Sequence, residues 1–489
     1  MSLCPSHTTT PITYRTIFNI EDSLYLCLAL TLSRLGTVVR STGNIFLILF
    51  SFWGPLNAQE PPKLLSLEEC IQIALTNSTA VVKGMNAIEL SGTQVLAAHG
   101  QFLPDAVVGG AVTYTAGTNL LTVTLPTLVN SQRGNITYQV VSSINLYNGY
   151  SNKSSLRAAL LNKEMTELSL ERAKQQIKLD VTQAYLQVVL DKQIVEFAQQ
   201  NYQTSLQRES QLNELVAVGR RPQSDLYQQQ SQTSLDQQFL TSTSNKLNID
   251  QLLLLQRLRM NPAGNYQFSD VAIDEDPLGE EYTNEQALIE KALAQRADLK
   301  SSQRYQDAAQ WYVRKSKSGY LPRVSMNAGA YGIAAHFSSL YINGDDKLPA
   351  EQRSLGTQLS DQIYGVMALN VGWTIFDKYV TKSNVAVARV NASNARVDFE
   401  NVNIQIVSEV KQAIGNYTTA LQQTETSQKG LLAATQAFET LNARYTIGSA
   451  NFIELSNSQN NLLLAEQNRA QAGISLFLQK KVIDFYLGN

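Results

Sequence analysis

The sequence predicts a mainly α-helical fold with a membrane β component, built as a tandem repeat. Three observations predict it. A region of about 200 residues recurs along the chain at a nearly constant offset. Within the first copy, the segment from Tyr150 to Val218 contains no Gly or Pro, which favours one very long helix. Each copy also contains stretches of alternating apolar and polar residues, which predict four β-strands in all.

The N-terminal region has the pattern of an export signal, although the pattern does not begin at residue 1. Arg40 precedes the apolar run 45–53, a Gly-Pro turn follows, and the small residue Ala58 marks the point where we expect cleavage. The apolar run is too short for a membrane span. The alternative to an export signal is therefore a helix buried in the folded protein. Cys4 and Cys27 would be removed, leaving Cys70 as a core residue with no disulfide partner.

The repeat begins with a helix that ends at a Leu-Pro pair. Residues 67–104 align with 285–322, so that Pro104 falls on Pro322, an offset of 218. From the triplet 146–148 onward, the offset is 229. Because proline fixes φ and lacks an amide donor, both pairs predict helix-to-strand junctions; the residues concerned are Leu103, Pro104, Leu321 and Pro322.

The long helices 150–218 and 377–447 have apolar residues spaced by three and four, as in coiled coils. Each would be about 100 Å long at 1.5 Å per residue. The first helix, 66–102, and the helix after the turn, 222–260, together match the length of the long helix. The two shorter helices are therefore expected to stack end to end against it. The apolar faces that result need further partners.

The strand-like segments 136–147 and 363–376 alternate with period two, at lengths that suit tilted membrane strands. Two hairpins supply four strands, and a four-stranded sheet cannot close on itself. Open sheet edges are not tolerated in lipid. Several chains must therefore share one barrel, and three chains would supply about twelve strands.

In this order, the features resemble the TolC-like outer-membrane efflux protein family over about 64–489. They are the duplicated LEE-x-I-x-x-AL opening, the Leu-Pro junctions, LYNG and IFDK after the second strands, and YTIGSANFIELSNSQNNLL near the C-terminus. The resemblance implies a homotrimer with a 12-stranded barrel in outer-membrane lipid and a coiled-coil helical tunnel extending into the periplasm. It also implies a mixed equatorial domain built partly from 263–285.

By the same resemblance, the protein is a passive exit duct that works with a periplasmic adaptor (membrane fusion) protein and an inner-membrane pump. Small-molecule efflux is the leading expectation, and type I protein secretion is the alternative. A coiled-coil surface rod is a third reading, which the four strands disfavour. The net charge of −2 gives no basis for binding nucleic acid.

The expected domain organisation follows the repeat. It comprises a leader (1–58), a first periplasmic helix (59–104), a first β-hairpin (105–147), a long helix with tip turn and return helix (148–262), an equatorial linker (263–284), a second periplasmic helix (285–322), a second β-hairpin (323–376), and a second long helix with turn and return helix (377–489).

The candidate functional residues lie in the two helical turns, at 216–227 and 445–457. Gly219 and Gly448 supply the positive φ that a helix end needs. By resemblance, the turns form a periplasmic gate, in which Asp225 and Glu454 line or brace the aperture. Alternatively, both acids complement a helix dipole. The other candidates are hydrogen-bonding neighbours and balancing cations, namely Ser224, Tyr445, Asn457, Arg220, Arg221 and Arg444.

No catalytic or metal-binding pattern is present, so neither an enzyme nor a cofactor is predicted. The three His residues match no metal or triad spacing, and no phosphate-binding loop occurs. The apolar segment 119–129 remains open to two readings. It either extends the strands beyond the bilayer or seals the pore.

Overall fold

A computed structural model describes residues 63–122, 126–272, 282, 284–348 and 351–488. The described residues belong to one compact unit, 62–489. The predicted leader, with Cys4 and Cys27, lies outside them, as does much of the predicted linker.

The described elements follow the chain order expected of a repeat. They are β1 (Lys63–Leu65), α1 (Leu67–Asn77), α2 (Thr79–Gly100), β2 (Val107–Thr122), β3 (Pro126–Asn148), α3 (Ser151–Ala217), α4 (Gln223–Leu258), β4 (Tyr266–Phe268), α5 (Glu285–Gln295), α6 (Ala297–Lys317), β5 (Arg323–Ile342), β6 (Asp345–Asp346), α7 (Leu355–Asp361), β7 (Ile363–Gly372), α8 (Val380–Thr446) and α9 (Phe452–Leu487).

Each of the four long strands is joined to one helix, and the strands and helices lie in the same order. The antiparallel strands run β2-β3-β5-β7. The helices attached to them are α2, α3, α6 and α8, and α2 packs on α3, α3 on α6, and α6 on α8. The return helices α4 and α9 pack against α3 and α8, respectively. The four strands and the four helices attached to them therefore form one continuous layer, which we call the wall.

Both long helices contain 67 residues, which confirms the predicted length. The single first helix predicted at 66–102 is wrong, because the chain breaks at Ser78 into α1 and α2. Arg296, the equivalent position of the second repeat, divides α5 from α6 in the same way. Both residues have φ of −60°, with ψ of 129° at Ser78 and 127° at Arg296, which is extended backbone. Ser78 also caps α2 by accepting from the amide of Ala80 at 3.2 Å.

A core forms where these broken helices meet the middle of the long ones. β1 pairs in parallel with β4, so residues 63–65 lie beside 266–268. The segment 266–268 belongs to the region predicted to be equatorial. The Tyr185 hydroxyl of α3 lies 2.9 Å from the Leu65 carbonyl oxygen and 2.7 Å from that of Ser269. Cys70 is buried in the same cluster, as predicted.

The sheet has one apolar and one largely polar face. Paired residues of neighbouring strands point to the same side, so the register groups the side chains. The apolar face carries Val108, Val112, Tyr114, Ile136, Tyr138, Val140, Val324, Met326, Met367, Leu369 and Val371. The opposite face carries mostly small and polar residues, including Thr113, Thr137, Gln139, Ser325, Asn327 and Asn370. Val112 is 80% exposed although it is apolar.

Strand lengths differ from the prediction. β2, β3 and β5 contain 16, 23 and 20 residues, more than a tilted membrane strand requires. β7 ends at Gly372 rather than at 376, because the chain turns at Trp373, whose indole N–H donates to the Tyr320 carbonyl at 3.0 Å. In the segment 119–129, residues 119–122 pair with 126–129, so this part extends the hairpin. Residues 123–125 lie outside the described part of the chain.

Two glutamine side chains hydrogen-bond the backbone groups of β5 in the part of the strand that no longer pairs with β7. The Gln358 side chain accepts from the Ala335 amide and donates to its carbonyl, both at 2.9 Å. Gln352 makes the same pair of bonds to Phe337, at 2.8 and 2.7 Å. Each amide side chain replaces one residue of a neighbouring strand, which protects an otherwise unpaired edge.

Replacing Gly332 with alanine is expected to destabilise the sheet by about 1–3 kcal/mol through overpacking. The Tyr138 ring crosses β5 at Gly332, where a Cβ would lie 2.1 Å from the ring, and its hydroxyl donates to the Leu359 carbonyl at 2.5 Å. The measurement is the thermal midpoint of the purified protein. Gly134→Ala is the control, because a Cβ there meets nothing within 4 Å. Equal midpoints for the two variants would contradict the packing described.

Among the described residues, no helix combines the length and apolar character that crossing a bilayer requires.

Candidate functional site

The two predicted turns lie where each long helix reverses direction. Gly219 and Gly448 have φ of 73° and 81°, as predicted. In the first turn, the Arg220 amide donates to the Leu215 carbonyl at 2.8 Å, and in the second the Ser449 amide donates to the Arg444 carbonyl at 2.8 Å. These bonds satisfy carbonyl groups at the helix ends, as in a Schellman motif. The backbone of the two turns is therefore equivalent.

An apolar cluster joins the two turns to each other. Leu212 of α3, Leu226 of α4 and Phe452 of α9 are buried together, with Val216 and Tyr445 packed against them. The rings of Tyr445 and Phe452 meet at a tilt, with centroids 6.4 Å apart. This cluster, which we call the tip cluster, holds the end of the first repeat against the end of the second.

Arg221 adds a polar link between the repeats at the edge of the tip cluster. Its guanidinium donates to the Tyr445 carbonyl at 2.9 Å and lies 4.5 Å from the centre of the Tyr445 ring. Asp225, one turn along α4, lies 3.9 Å from the same guanidinium. Both charged side chains are about one-fifth exposed, 22% for Arg221 and 18% for Asp225. Asp225 thus positions the Arg221 guanidinium, which contacts Tyr445 of the second repeat.

Tyr445 stays neutral at physiological pH. Burial raises the pKa of its phenol above the ordinary value, the charge of Asp225 acts in the same direction, and Arg221 and Arg208 oppose them. The hydroxyl oxygen is buried, with no hydrogen-bond partner among the described residues. The ring therefore contributes packing and a cation–π contact rather than charge.

Glu454, the repeat equivalent of Asp225, has a different environment. The Asn451 side chain accepts from the Glu454 amide at 2.8 Å and donates to its carboxylate at 3.1 Å. Glu454 is exposed and lies in the first turn of α9. Its contacts stay within its own helix, which favours the reading in which this acid complements the helix end.

The remaining candidate residues lie around the turns without joining them. Arg444 donates to the Ser449 carbonyl at 3.2 Å, within its own turn. Ser224 lies 3.5 Å from the Asp225 carboxylate, at the limit of a hydrogen bond. Arg220 and Asn457 are exposed. The structure therefore brings together Arg221, Asp225 and Tyr445 and leaves the others apart.

A polar layer above the tip cluster was not foreseen from the sequence. Arg208 of α3 hydrogen-bonds Gln459 of α9 and lies 5.4 Å from the centre of the Phe438 ring. Gln459 also hydrogen-bonds Asn201, so α3 and α9 are linked twice. Burial lowers the pKa of Arg208 from its ordinary value. These residues match no motif, and their partners lie more than 200 positions away in the sequence.

The helix-to-strand junctions lie at the other end of the wall. Leu103 and Leu321 are exposed, and a short 3₁₀ turn, Ser318–Tyr320, precedes the second Leu-Pro pair. Gly149, at the start of α3, packs so closely that a Cβ would lie 2.7 Å from the Ser318 carbonyl oxygen. Pro104 and Pro322 each stand between the end of a helical segment and a strand.

Comparisons with known proteins agree with this architecture. Residues 288–488 match the family of outer membrane efflux proteins. The chain is 21% identical to the outer membrane protein TolC of Escherichia coli over 204 residues, 41% of this chain and 40% of TolC. It thus spans about 40% of the length of the curated relatives it matches.

Solved structures match over a larger part of the chain. The outer membrane protein VceC of Vibrio cholerae superposes with a TM-score of 0.73 at 14% identity, covering 86% of this chain and 96% of VceC. The CmeC outer membrane channel of Campylobacter jejuni gives 0.71 at 17% identity, covering 86% and 85%. At such low identity these likenesses show the fold alone.

The fold is that of outer-membrane channel proteins, mainly helical with a β-sheet. The resemblance to the TolC-like outer-membrane efflux protein family, predicted from the sequence, is confirmed. The proteins of this family are channels and not enzymes. The relatives are outer-membrane proteins, which agrees with the predicted location. Within the described residues, no group of three His, Cys, Asp or Glu side chains could hold a metal ion.

Proposed function

We propose that the chain is one subunit of a passive trimeric exit duct in the bacterial outer membrane, which conducts small molecules outward from the periplasm or from an inner-membrane pump. The observation that carries this proposal is the single wall: strands β2-β3-β5-β7 and helices α2-α3-α6-α8 lie in the same order. A sheet that continues into helices in this way suits the passage from a membrane barrel to a tunnel.

The two faces of the sheet support a position in the membrane. The apolar face, with exposed residues such as Val108 and Leu369, suits contact with lipid. The polar face, with Thr137 and Gln139, suits a water-filled interior. This division is the one that alternating strands of a membrane barrel require.

The edges of the sheet support the trimer. In the described chain, β2 pairs on one side alone, with β3, and β7 pairs on one side alone, with β5. Both outer edges carry unsatisfied backbone groups, which lipid does not tolerate. Joining the β2 edge of one copy to the β7 edge of the next satisfies both, and three copies give a barrel of about twelve strands.

The turns at the far end of α3 and α8 would form the periplasmic gate. Three copies of the Arg221–Asp225–Tyr445 link would hold the helix pair α3–α4 against the pair α8–α9 and keep the end narrow. A periplasmic adaptor would bind near these turns. The energy would come from an inner-membrane pump, because the sequence carries no phosphate-binding loop of its own.

The purified protein in detergent is expected to have the mass of three chains, because a single chain leaves two sheet edges unpaired. The measurement is light scattering coupled to size exclusion, with the detergent contribution subtracted. A monodisperse monomer that retains its β content would contradict the duct. Co-purification with a secretion ATPase rather than an efflux pump would redirect the proposal to protein export.

A further inference from the structure

The most distinctive feature outside the turns is a cavity of about 340 Å³ at the second helix-to-strand junction. It lies in the groove between the start of α3 and the end of α6. We call it the junction cavity, and the side chains that matter to its chemistry are Tyr150, Lys153, Trp311, Arg314, Lys317 and Leu321.

The charge of the junction cavity is entirely positive. Lys153, Arg314 and Lys317 line it, and no Asp or Glu does. Among the described residues, none of the three cations lies within ion-pair distance of a carboxylate. Elsewhere on the same two helices cations are paired, as Arg304 is with Glu164 at 2.9 Å and Lys163 with Glu167 at 3.7 Å. Three unpaired cations around one cavity predict an anionic ligand.

The remaining lining is apolar and aromatic. Arg314 lies 4.3 Å from the centre of the Trp311 ring, which fixes the indole beside the cation. The Tyr150 ring meets that of Tyr147 edge to face, with centroids 5.4 Å apart. Tyr147 pairs with Val324 and so belongs to the apolar face of the sheet. The cavity is therefore continuous with the surface assigned above to lipid.

Aromatic residues beside cations at the end of an apolar band are typical of the membrane–water interface. The second repeat has a similar arrangement, in which the rings of Phe376 and Tyr379 meet edge to face at 5.6 Å and Lys382 lies 5.6 Å from the Tyr379 ring. The junction cavity differs by adding Arg314 and Lys317 from α6.

We propose that the junction cavity binds the phosphate headgroup of an anionic phospholipid from the periplasmic leaflet, with an acyl chain lying along the apolar face. The proposal rests on the membrane position proposed above. Lys153, Arg314 and Lys317 would surround the phosphate. Trp311, Tyr150 and Leu321 would contact the glycerol and the first methylenes.

The test is native mass spectrometry of the full-length protein in detergent supplemented with phosphatidylglycerol. The triple variant K153Q/R314Q/K317Q is expected to lose about 100-fold in affinity, since each cation near an anionic headgroup contributes about fivefold. The matched control is K163Q/K300Q/R304Q, which removes the same charge from the same two helices beside Glu164 and Glu167. Oligomer bands on unheated gels and circular dichroism check that both variants are folded.

Two further arms identify the source of the phosphate. Phosphatidylcholine, which carries no net charge, should bind far more weakly than phosphatidylglycerol, and excess inorganic phosphate should fail to displace the lipid. Equal lipid retention by the triple variant and the control would overturn the site, as would full displacement by inorganic phosphate. A trimer that conducts in bilayers but shows either result keeps the duct and loses the lipid site. A chain that never inserts overturns both.

Discussion

Replacing Arg221 with serine is expected to raise the single-channel conductance of the proposed duct in a planar bilayer. The change removes a charge-assisted hydrogen bond to the Tyr445 carbonyl and the contact with its ring. The loss of such a bond costs about 1.5–3 kcal/mol. This shifts an open–closed equilibrium by about ten- to a hundredfold, and in the proposed trimer the link would occur in each subunit.

Arg444→Ser is the matched control, because Arg444 occupies the other turn and bonds within that turn. Its conductance should stay near that of the wild type. Asp225→Ala should act in the same direction as Arg221→Ser but more weakly, since the carboxylate steadies Arg221 from 3.9 Å. Glu454→Ala should have little effect. If Arg444→Ser opens the channel as much as Arg221→Ser, the link between the repeats is not what closes the tip.

Replacing Arg296 with methionine is expected to destabilise the fold by about 3 kcal/mol, at the lower end of what breaking a buried ion pair costs. The Arg296 side chain is 2% exposed and donates to Asp298 at 3.0 Å and to Glu409 at 2.6 Å. Methionine leaves two carboxylates without their cation, although Arg172 stays 3.6 Å from Asp298. The thermal midpoint in detergent at neutral pH measures the loss.

Arg304→Met is the control, because its pair with Glu164 is exposed and such pairs contribute about 0–1 kcal/mol.

The dependence of the thermal midpoint on acid pH supplies a second check. Burial alone would raise the pKa of Asp298, but hydrogen bonds and charge from Arg296 lower it below the ordinary value. The folded pKa is therefore below the unfolded one, so this stabilisation is present at neutral pH and is lost as pH falls below about 4. A difference in midpoint that persists unchanged in strong acid would contradict this origin.

The long helices were predictable because few residues in them interrupt the coiled-coil spacing. The breaks at Ser78 and Arg296 were not, because one residue in extended backbone leaves the apolar pattern on both sides intact. The edge role of Gln352 and Gln358 also escaped prediction, since it depends on where β7 stops pairing. The strand ends were misplaced because pairing with neighbouring strands, rather than alternation, decides where a strand ends.

At the turns, the glycines were predictable but the roles of the two acids were not. Asp225 and Glu454 are equivalent in the repeat, yet the residues around them differ. Asn451 caps α9 through Glu454, whereas Pro222, its counterpart, makes no side-chain cap and leaves Asp225 to pair with Arg221. The counterpart of Arg221 is the buried Ala450. A repeat alignment shows these differences but not which helix each side chain contacts.

The most direct test of a barrel shared by three chains is a disulfide between its edge strands. Within one chain, β2 and β7 are three strand spacings apart, about 14 Å, too far for a disulfide. In the proposed trimer, β2 of one copy would lie beside β7 of the next. A panel combines a cysteine at 108, 110 or 112 with one at 367, 369 or 371, with Cys4 and Cys27 changed to serine. Burial, with the charges of Glu69 and Glu68, raises the pKa of the Cys70 thiol to about 12, so Cys70 stays unreactive.

Oxidation of the best-aligned pair should give a covalent trimer on denaturing gels, which the single-cysteine variants cannot form. A panel that yields monomers alone, from folded protein inserted in membranes, would contradict the shared barrel.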